Sequence, residues 1–219
     1  MSNSSFPKAV LWDMDGTLID SEPYWLLSES ALASDYGKVW TEADGHQMIG
    51  KSLYDSSALL REKFEITDLS IQQVIDRLTN EVVANLKNKL PWRPGALEAL
   101  MMLKQAGIKT ALVTMSMRSM ALAVVDAIPF QAFDVVVAGD DVRFGKPHPE
   151  PYEKAAKLLG LEPGECVAFE DSTTGLTSAE AAGCIPVGIP NLMPLPATGR
   201  RVIVDSLTSV NLEWLAGLK

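Results

Sequence analysis

The sequence is poor in the residues that build disulfides, metal centres of the zinc type and nucleic-acid interfaces. It contains 2 cysteines, 2 histidines, and 19 Lys and Arg residues against 28 Asp and Glu residues. Cys166 and Cys184 stand in apolar contexts without Cys-x-x-Cys spacing, so we interpret them as small buried hydrophobic residues. No basic stripe offsets the net charge of −9, and nucleic-acid binding needs such a stripe to neutralise phosphates. We therefore expect no nucleic-acid partner.

Long apolar runs are also missing. The longest, such as Ala121–Val125, fall far short of the ~18 residues of a membrane span, so we expect no membrane partner. The N-terminal segment Met1–Lys8 lacks the apolar stretch of a secretory signal, so we expect a cytoplasmic protein. Nothing in the sequence calls for a second subunit, and we expect a monomer. With 47% hydrophobic residues, the chain can bury an ordinary core in one or two domains.

Six short apolar runs, separated by sequence long enough for helices, predict a parallel sheet that is buried on both faces. The runs are Ala9–Trp12, Lys109–Val113, Val135–Ala138, Cys166–Phe169, Pro186–Ile189 and Val202–Val204. Residues typical of helix ends bracket the segments between them, namely Pro94 and Gly107, Pro149 and Gly160, and Ser172 and Gly183. This alternation predicts an α/β fold, a doubly wound parallel sheet of right-handed βαβ units.

A helix-rich insertion interrupts this pattern. The segment between the first strand and Pro94 is far longer than a normal βα loop, so we predict an α-helical domain at residues 21–90 and a core formed by residues 1–20 and 91–219. Apolar residues at helical spacing predict three helices in the insertion. Their proposed inward positions are Leu26, Leu27, Ser30, Ala31 and Tyr36, then Leu53, Ala58, Leu59 and Phe64, then Ile71, Val74, Ile75, Leu78, Val82 and Leu86.

Polar side chains follow four of the predicted strands. They are Asp13-Met14-Asp15-Gly16-Thr17, Thr114, Lys146 and Glu170-Asp171-Ser172. Because the carboxyl ends of parallel strands meet at one edge of the sheet, we expect these groups to converge. A calcium loop that starts at Asp13 is excluded, since its sixth and twelfth positions would be Leu18 and Tyr24 instead of Gly and Glu.

In this order, the four segments resemble the motifs of the haloacid dehalogenase superfamily, and the resemblance covers essentially the whole chain. The Asp-x-Asp-Gly-Thr motif matches Asp13–Thr17, and the motifs that follow match Thr114, Lys146 and Glu170–Asp171. The helical insertion resembles the family's cap domain. Its opening, Asp20–Pro23, is similar to that of the sugar-phosphate phosphatase and β-phosphoglucomutase subgroup.

The resemblance implies a division of roles. Asp13 would be the nucleophile that forms an aspartyl-phosphate, and Asp15 would be the acid for the leaving group and then the base for water. The metal would be Mg²⁺, held by Asp13, Asp15 and Asp171 with Glu170 nearby.

Other groups would bind the substrate, a small phosphorylated metabolite such as a sugar or polyol phosphate. Lys146 would supply a second positive charge, and Thr114 with the following backbone N–H groups would donate to the phosphoryl oxygens. Met115 flanks this position, and Trp25 stands close in sequence to the Asp13–Thr17 motif, so both are candidates for contact with the substrate.

Three other functions remain to be weighed. A β-phosphoglucomutase-like phosphomutase is disfavoured because that subgroup carries a histidine where this chain has Trp25. A non-catalytic phosphate-binding protein would need neither Asp13 nor Asp15. The dehalogenase branch lacks an aspartate at the position of Asp15. The sequence therefore favours a magnesium-dependent phosphatase of small phosphate monoesters.

Overall fold

A six-stranded parallel sheet forms the centre of the computed structural model, which describes residues 6–48 and 51–218. Most of Met1–Lys8, in which we expect no secretory signal, and residues 49–50 of the insertion lie outside these ranges. The strands are β1 (Ala9–Trp12), β2 (Lys109–Val113), β3 (Val135–Val137), β4 (Cys166–Glu170), β5 (Ile185–Gly188) and β6 (Val202–Ile203).

The strand order is β3-β2-β1-β4-β5-β6, and every neighbouring pair is parallel. The chain therefore adds β2 and β3 on one side of β1, and then returns to add β4, β5 and β6 on the other side. The crevice at the carboxyl ends of β1 and β4 is the topological switch point, where ligands bind in open α/β sheets. The doubly wound fold is confirmed, and each strand ends within one residue of its predicted limits.

Helices flank the sheet and fill the insertion. They are α1 (Glu22–Asp35), α2 (Glu42–Gly45), α3 (Leu53–Lys63), α4 (Ile71–Asn88), α5 (Ala96–Ala106), α6 (Arg118–Asp126), α7 (Glu150–Leu158), α8 (Thr173–Ala182) and α9 (Leu212–Ala216). None of the helices described here combines the length and the apolar character that a bilayer crossing requires.

Each face of the sheet carries its own apolar layer, because successive side chains of a strand point to opposite faces. Trp12 of β1 stacks on Phe169 of β4 on one face, with ring centroids 4.4 Å apart. Leu11 and the two free cysteines, Cys166 and Cys184, are buried on the other face, which confirms their reading as buried hydrophobic residues.

Helices α1, α3 and α4 of the insertion pack around a third apolar cluster that includes Leu32, Leu60 and Leu78. The two segments that join the insertion to the sheet run side by side. The Asp20 amide donates to the Pro91 carbonyl at 2.8 Å, and the Arg93 amide donates to the Leu18 carbonyl, also at 2.8 Å.

The predicted inward face of α1 is wrong, although the helix itself is present. The buried residues are Ser28, Glu29, Leu32 and Ala33, and Leu27 is 58% exposed. Apolar spacing could not reveal this face because two of its members are polar. The Glu29 carboxylate accepts from Trp40 Nε1 at 2.8 Å, and the Ser28 hydroxyl donates to the Leu78 carbonyl at 3.3 Å.

Burial and the nearby Glu22 raise the pKa of Glu29 from 4.5 to about 7, against the hydrogen bond from Trp40, which lowers it. The folded protein therefore holds a proton that the unfolded chain releases, and stability present below pH ~4.5 is lost as the pH rises through ~7. Glu29→Gln keeps an acceptor for Trp40 but removes the titrating carboxyl. Between pH 5 and pH 8 we expect the free energy of unfolding of the wild type to fall by roughly 2–3 kcal/mol more than that of Glu29→Gln. Urea unfolding at both pH values tests this.

Glu62→Gln is the matched control, because it removes one negative charge at an exposed position of α3. Parallel pH profiles for wild type and Glu29→Gln would contradict the proton uptake by Glu29.

Candidate active site

The loop after β1 is held in a tight conformation. The Asp13 amide donates to the Phe169 carbonyl of β4 at 3.0 Å, and the Gly16 amide donates to the Ile19 carbonyl at 2.7 Å. Gly16 has a φ of +84°, and a Cβ there would lie 1.9 Å from Asp171 Oδ2. Both the backbone conformation and the approach of Asp171 thus require glycine.

Lys146 occupies the centre of the site, and its side chain is only 5% exposed. Its Nζ lies 2.7 Å from Asp13 Oδ1 and 2.6 Å from Glu170 Oε1, and it donates to the Val113 carbonyl at 2.8 Å. Burial lowers the pKa of Lys146, but the two carboxylates outweigh that effect and raise it. The ammonium is therefore a permanent positive charge at the switch point.

Three carboxylates crowd this ammonium. Oxygen atoms of Asp13, Glu170 and Asp171 all lie within 4.8 Å of one another. Burial and the charge of Asp13 raise the pKa of Glu170 to about 7, and burial with Asp13 and Glu170 raises that of Asp171 well above its usual range. One ammonium does not balance three acids, and hard oxygen ligands in this number suit a divalent cation such as Mg²⁺.

The Asp15 carboxylate is surrounded by three hydroxyl groups. Ser21 donates to its Oδ1 at 2.5 Å, while Ser116 and Thr114 donate to Oδ2 at 2.7 and 3.2 Å. Burial and the charge of Asp13 raise the pKa of Asp15, and the three hydrogen bonds oppose this rise. A raised pKa favours the protonated form of this half-buried carboxyl, which is the form that a general acid requires.

Several residues of the site were not predicted. Ser21 and Ser116 bond directly to Asp15, and the Tyr152 hydroxyl donates to Glu170 Oε1 at 2.5 Å. A Cβ on Gly175 would lie 1.9 Å from the Glu170 carboxylate, so this glycine makes room for it. The sequence places Ser21 and Ser116 close to predicted site residues, but nothing in it marks Tyr152, which lies in the first turn of α7.

The two predicted substrate contacts have structural partners. The Met115 sulfur accepts from the Lys146 amide at 3.3 Å and so supports the backbone of the lysine. Trp25 is half-buried and packs against both the sheet core and the apolar cluster of the insertion. Thr114, predicted to donate to phosphate, is bonded to Asp15 and accepts from the Ser116 amide at 3.0 Å.

Comparison with known proteins agrees with this geometry. A family model for haloacid dehalogenase-like hydrolases matches residues 7–183. The chain is 36% identical over 177 residues to a phosphorylated carbohydrates phosphatase of Thermotoga maritima, a match that covers 80% of this chain and 82% of that protein. It is 35% identical over 194 residues to hexitol phosphatase A of Escherichia coli, covering 83% of this chain and 82% of that protein.

A solved structure resembles the chain over most of its length. CbbY from Rhodobacter sphaeroides, in a complex with phosphate, superimposes with a TM-score of 0.84 at 27% identity. The superposition covers 92% of this chain and 95% of CbbY.

The buried charge balance predicts that Lys146→Met destabilises the fold. The variant removes the only described cation in contact with Asp13 and Glu170 and leaves two buried carboxylates beside each other. Breaking one side of a buried ion pair costs about 3–5 kcal/mol, measurable as a lower urea midpoint. Lys8→Met, which removes the exposed ion pair of Lys8 with Glu165, is the matched control and should cost far less. Equal losses in the two variants would contradict the central role of Lys146.

Proposed function

Because the chain belongs to the haloacid dehalogenase-like hydrolases, we propose that it is a magnesium-dependent phosphatase of sugar or polyol phosphates that acts through an aspartyl-phosphate. The observation that carries this proposal is the pairing of two aspartates on one loop at the switch point, with Asp13 bound to Lys146 and Asp15 ringed by hydroxyls. The two relatives named as phosphatases of carbohydrates and hexitols support the substrate class.

Asp13 is the nucleophile in this proposal. One of its carboxylate oxygens attacks phosphorus, and the bond between phosphorus and the ester oxygen breaks. Thr17 donates to Asp13 Oδ2 at 3.0 Å and Lys146 holds Oδ1 at 2.7 Å, so the carboxylate is fixed before the substrate arrives. Preorganised groups of this kind lower the cost of reaching the transition state.

Asp15 completes both half-reactions. Its proton goes to the oxygen of the departing alcohol, and burial with the charge of Asp13 raises the pKa of the carboxyl, which favours the protonated form. It then takes a proton from the water that attacks the phosphorus of the aspartyl-phosphate, which releases inorganic phosphate and restores Asp13. Ser21, Ser116 and Thr114 keep the carboxyl oriented through both steps.

The acidic cluster fits a magnesium ion. Its carboxylate oxygens lie within 4.8 Å of one another, and Gly16 leaves room for Asp171 beside the loop. Asp13, Asp171 and the Asp15 carbonyl would hold the ion. Glu170 would lie beside the ion, with its Oε1 bonded to Lys146 and Tyr152 and its Oε2 accepting from the Ser172 hydroxyl at 3.4 Å. Bound Mg²⁺ would neutralise negative charge between Asp13 and the phosphoryl oxygens.

Residues 21–90 act as a cap in this proposal, and residues 1–20 with 91–219 as the catalytic core. The two connecting segments form a hydrogen-bonded pair, which permits a hinge of limited swing. Trp25 packs within the apolar clusters, and an indole cannot accept a hydrogen bond from a sugar hydroxyl. This favours water over a second sugar hydroxyl as the acceptor and argues against the phosphomutase.

The metal proposal predicts that EDTA abolishes phosphate release and that Mg²⁺ restores it. Ca²⁺ should substitute poorly, because its larger and looser coordination shell misplaces Asp13 relative to phosphorus. Phosphate release from nitrophenyl phosphate, followed after dialysis against chelator and metal addition, is the measurement. Undiminished turnover in chelator would remove the metal from the proposal.

The two aspartates should differ in their response to substitution. Asp13→Asn removes the nucleophile and should reduce turnover by at least about 10³-fold on every ester. Asp15→Asn removes the proton donor of the first step and the base of the second. Its kcat/KM, which reports the first step, should therefore fall less for an ester with a nitrophenolate leaving group than for one with a sugar alkoxide. Equal losses of kcat/KM on the two esters would exclude Asp15 as the acid, and turnover in Asp13→Asn above about 10⁻³ of the wild-type value would exclude the covalent step.

A further inference from the structure

Tyr152 is buried against the central ion pair of the site, and the proposed steps leave it without a role. The side chain is completely buried in the first turn of α7. Its hydroxyl donates to Glu170 Oε1 at 2.5 Å. The Lys146 Nζ lies 5.2 Å from the centre of its ring, within the range of a cation–π contact. The phenol therefore contacts both members of the ion pair between Lys146 and Glu170.

Each N–H group of the Lys146 ammonium already has an oxygen neighbour. An ammonium carries three N–H groups. Lys146 donates to Asp13 Oδ1 at 2.7 Å and to the Val113 carbonyl at 2.8 Å, and it forms an ion pair with Glu170 Oε1 at 2.6 Å. In the proposed reaction this ammonium also contacts a phosphoryl oxygen of the substrate. One of the three existing contacts must be released for that new contact to form.

Glu170 is the neighbour that can best lose its contact with Lys146. Asp13 Oδ1 has no other hydrogen-bond donor within residues 6–48 and 51–218, and this carboxylate must stay fixed to attack phosphorus. The Val113 carbonyl belongs to the main chain at the end of β2. Glu170 Oε1 differs from both, because the Tyr152 hydroxyl still donates to it after Lys146 moves away. A buried acceptor that keeps one donor avoids most of the penalty of an unpaired polar group.

Without the Tyr152 hydroxyl, the same release would leave Glu170 poorly paired. Its second oxygen, Oε2, accepts one long hydrogen bond from Ser172, at 3.4 Å. Glu170 is only 1% exposed, so solvent does not replace a missing donor. The Lys146 ammonium would therefore stay on Glu170, and the phosphoryl group would lose a positively charged donor.

We propose that Tyr152 is a positioning residue whose hydroxyl holds Glu170 while Lys146 exchanges its contact with Glu170 for a contact with a phosphoryl oxygen. This inference rests on the proposed phosphatase function and adds a residue to its machinery. The exchange replaces one contact of the ammonium with another, and it breaks no covalent bond and transfers no proton. Its effect falls on the phosphoryl group, which all phosphate monoesters share, and is independent of the leaving group.

A crystal structure of the wild type with Mg²⁺ and inorganic phosphate tests the exchange directly. We expect the Lys146 Nζ within about 3.2 Å of a phosphate oxygen and more than about 3.5 Å from Glu170 Oε1, with the Tyr152 hydroxyl still bonded to Glu170. A complex in which Lys146 keeps Glu170, or releases Asp13 or Val113 in its place, would overturn the proposal.

Tyr152→Phe tests the hydroxyl alone, because it keeps the ring beside the ammonium. Calorimetric titration with inorganic phosphate in Mg²⁺ should give a Kd about tenfold higher than that of the wild type. The kcat/KM should fall by about the same factor for nitrophenyl phosphate and for a sugar phosphate, mainly through KM. The Kd for Mg²⁺ measured without phosphate should stay unchanged. A weaker affinity for Mg²⁺ with an unchanged Kd for phosphate would contradict the exchange.

Tyr36→Phe is the matched control, since it also removes a hydroxyl that donates to a carboxylate, that of Asp68 at 2.8 Å, but within the insertion. It should leave the Kd for phosphate unchanged. Urea unfolding of both variants separates stability from binding, and a Tyr152→Phe variant that loses only stability would overturn the positioning role.

The wild-type crystal structure decides alone if Tyr152→Phe does not fold. The proposed function has a separate test, because absence of phosphate release from every ester by the wild type would overturn that function. The outcomes for phosphate binding given above would overturn the role of Tyr152 alone.

Discussion

The Lys146 ammonium joins three neighbouring strands at the edge of the sheet where function is expected. It reaches Asp13 after β1, the Val113 carbonyl at the end of β2 and Glu170 at the end of β4. The lysine itself comes from the segment that follows β3, so four strand ends depend on one buried charge. Because an unpaired charge in this environment would cost several kcal/mol, the strand ends are held in one arrangement before any ligand binds.

That constraint also explains the small residues around the site. Carboxylates that gather around one ammonium need space, and Gly16 and Gly175 provide it where a Cβ would collide with Asp171 and Glu170. The cluster holds more carboxylates than Lys146 can balance, and burial, followed by the charges of Asp13 and Glu170, raises the pKa of Asp171. A fold that tolerates such a surplus gains a position at which a divalent cation is stabilised by several ligands.

The sheet could be predicted from the sequence because the strands are short and largely apolar, and because three of the intervening segments begin at a proline or serine and end at a glycine. The convergence of Asp13, Thr114, Lys146 and Asp171 followed from the same rule about strand ends. Long-range contacts between polar groups could not be predicted in this way. The buried face of α1 contains Glu29, which is partnered by Trp40 across a loop, and Glu170 is partnered by Tyr152 from α7. Periodicity reports hydrophobic burial and carries no information about such pairs.

The surroundings of the two aspartates differ, and this difference follows from where the cation stands. The Lys146 ammonium contacts Asp13, whereas Asp15 accepts hydrogen bonds from the hydroxyls of Ser21, Ser116 and Thr114. Under the proposed function, the substrate is a monoester with a dianionic head and an uncharged tail. The ammonium would then favour the orientation with phosphorus toward Asp13 and the departing oxygen toward Asp15.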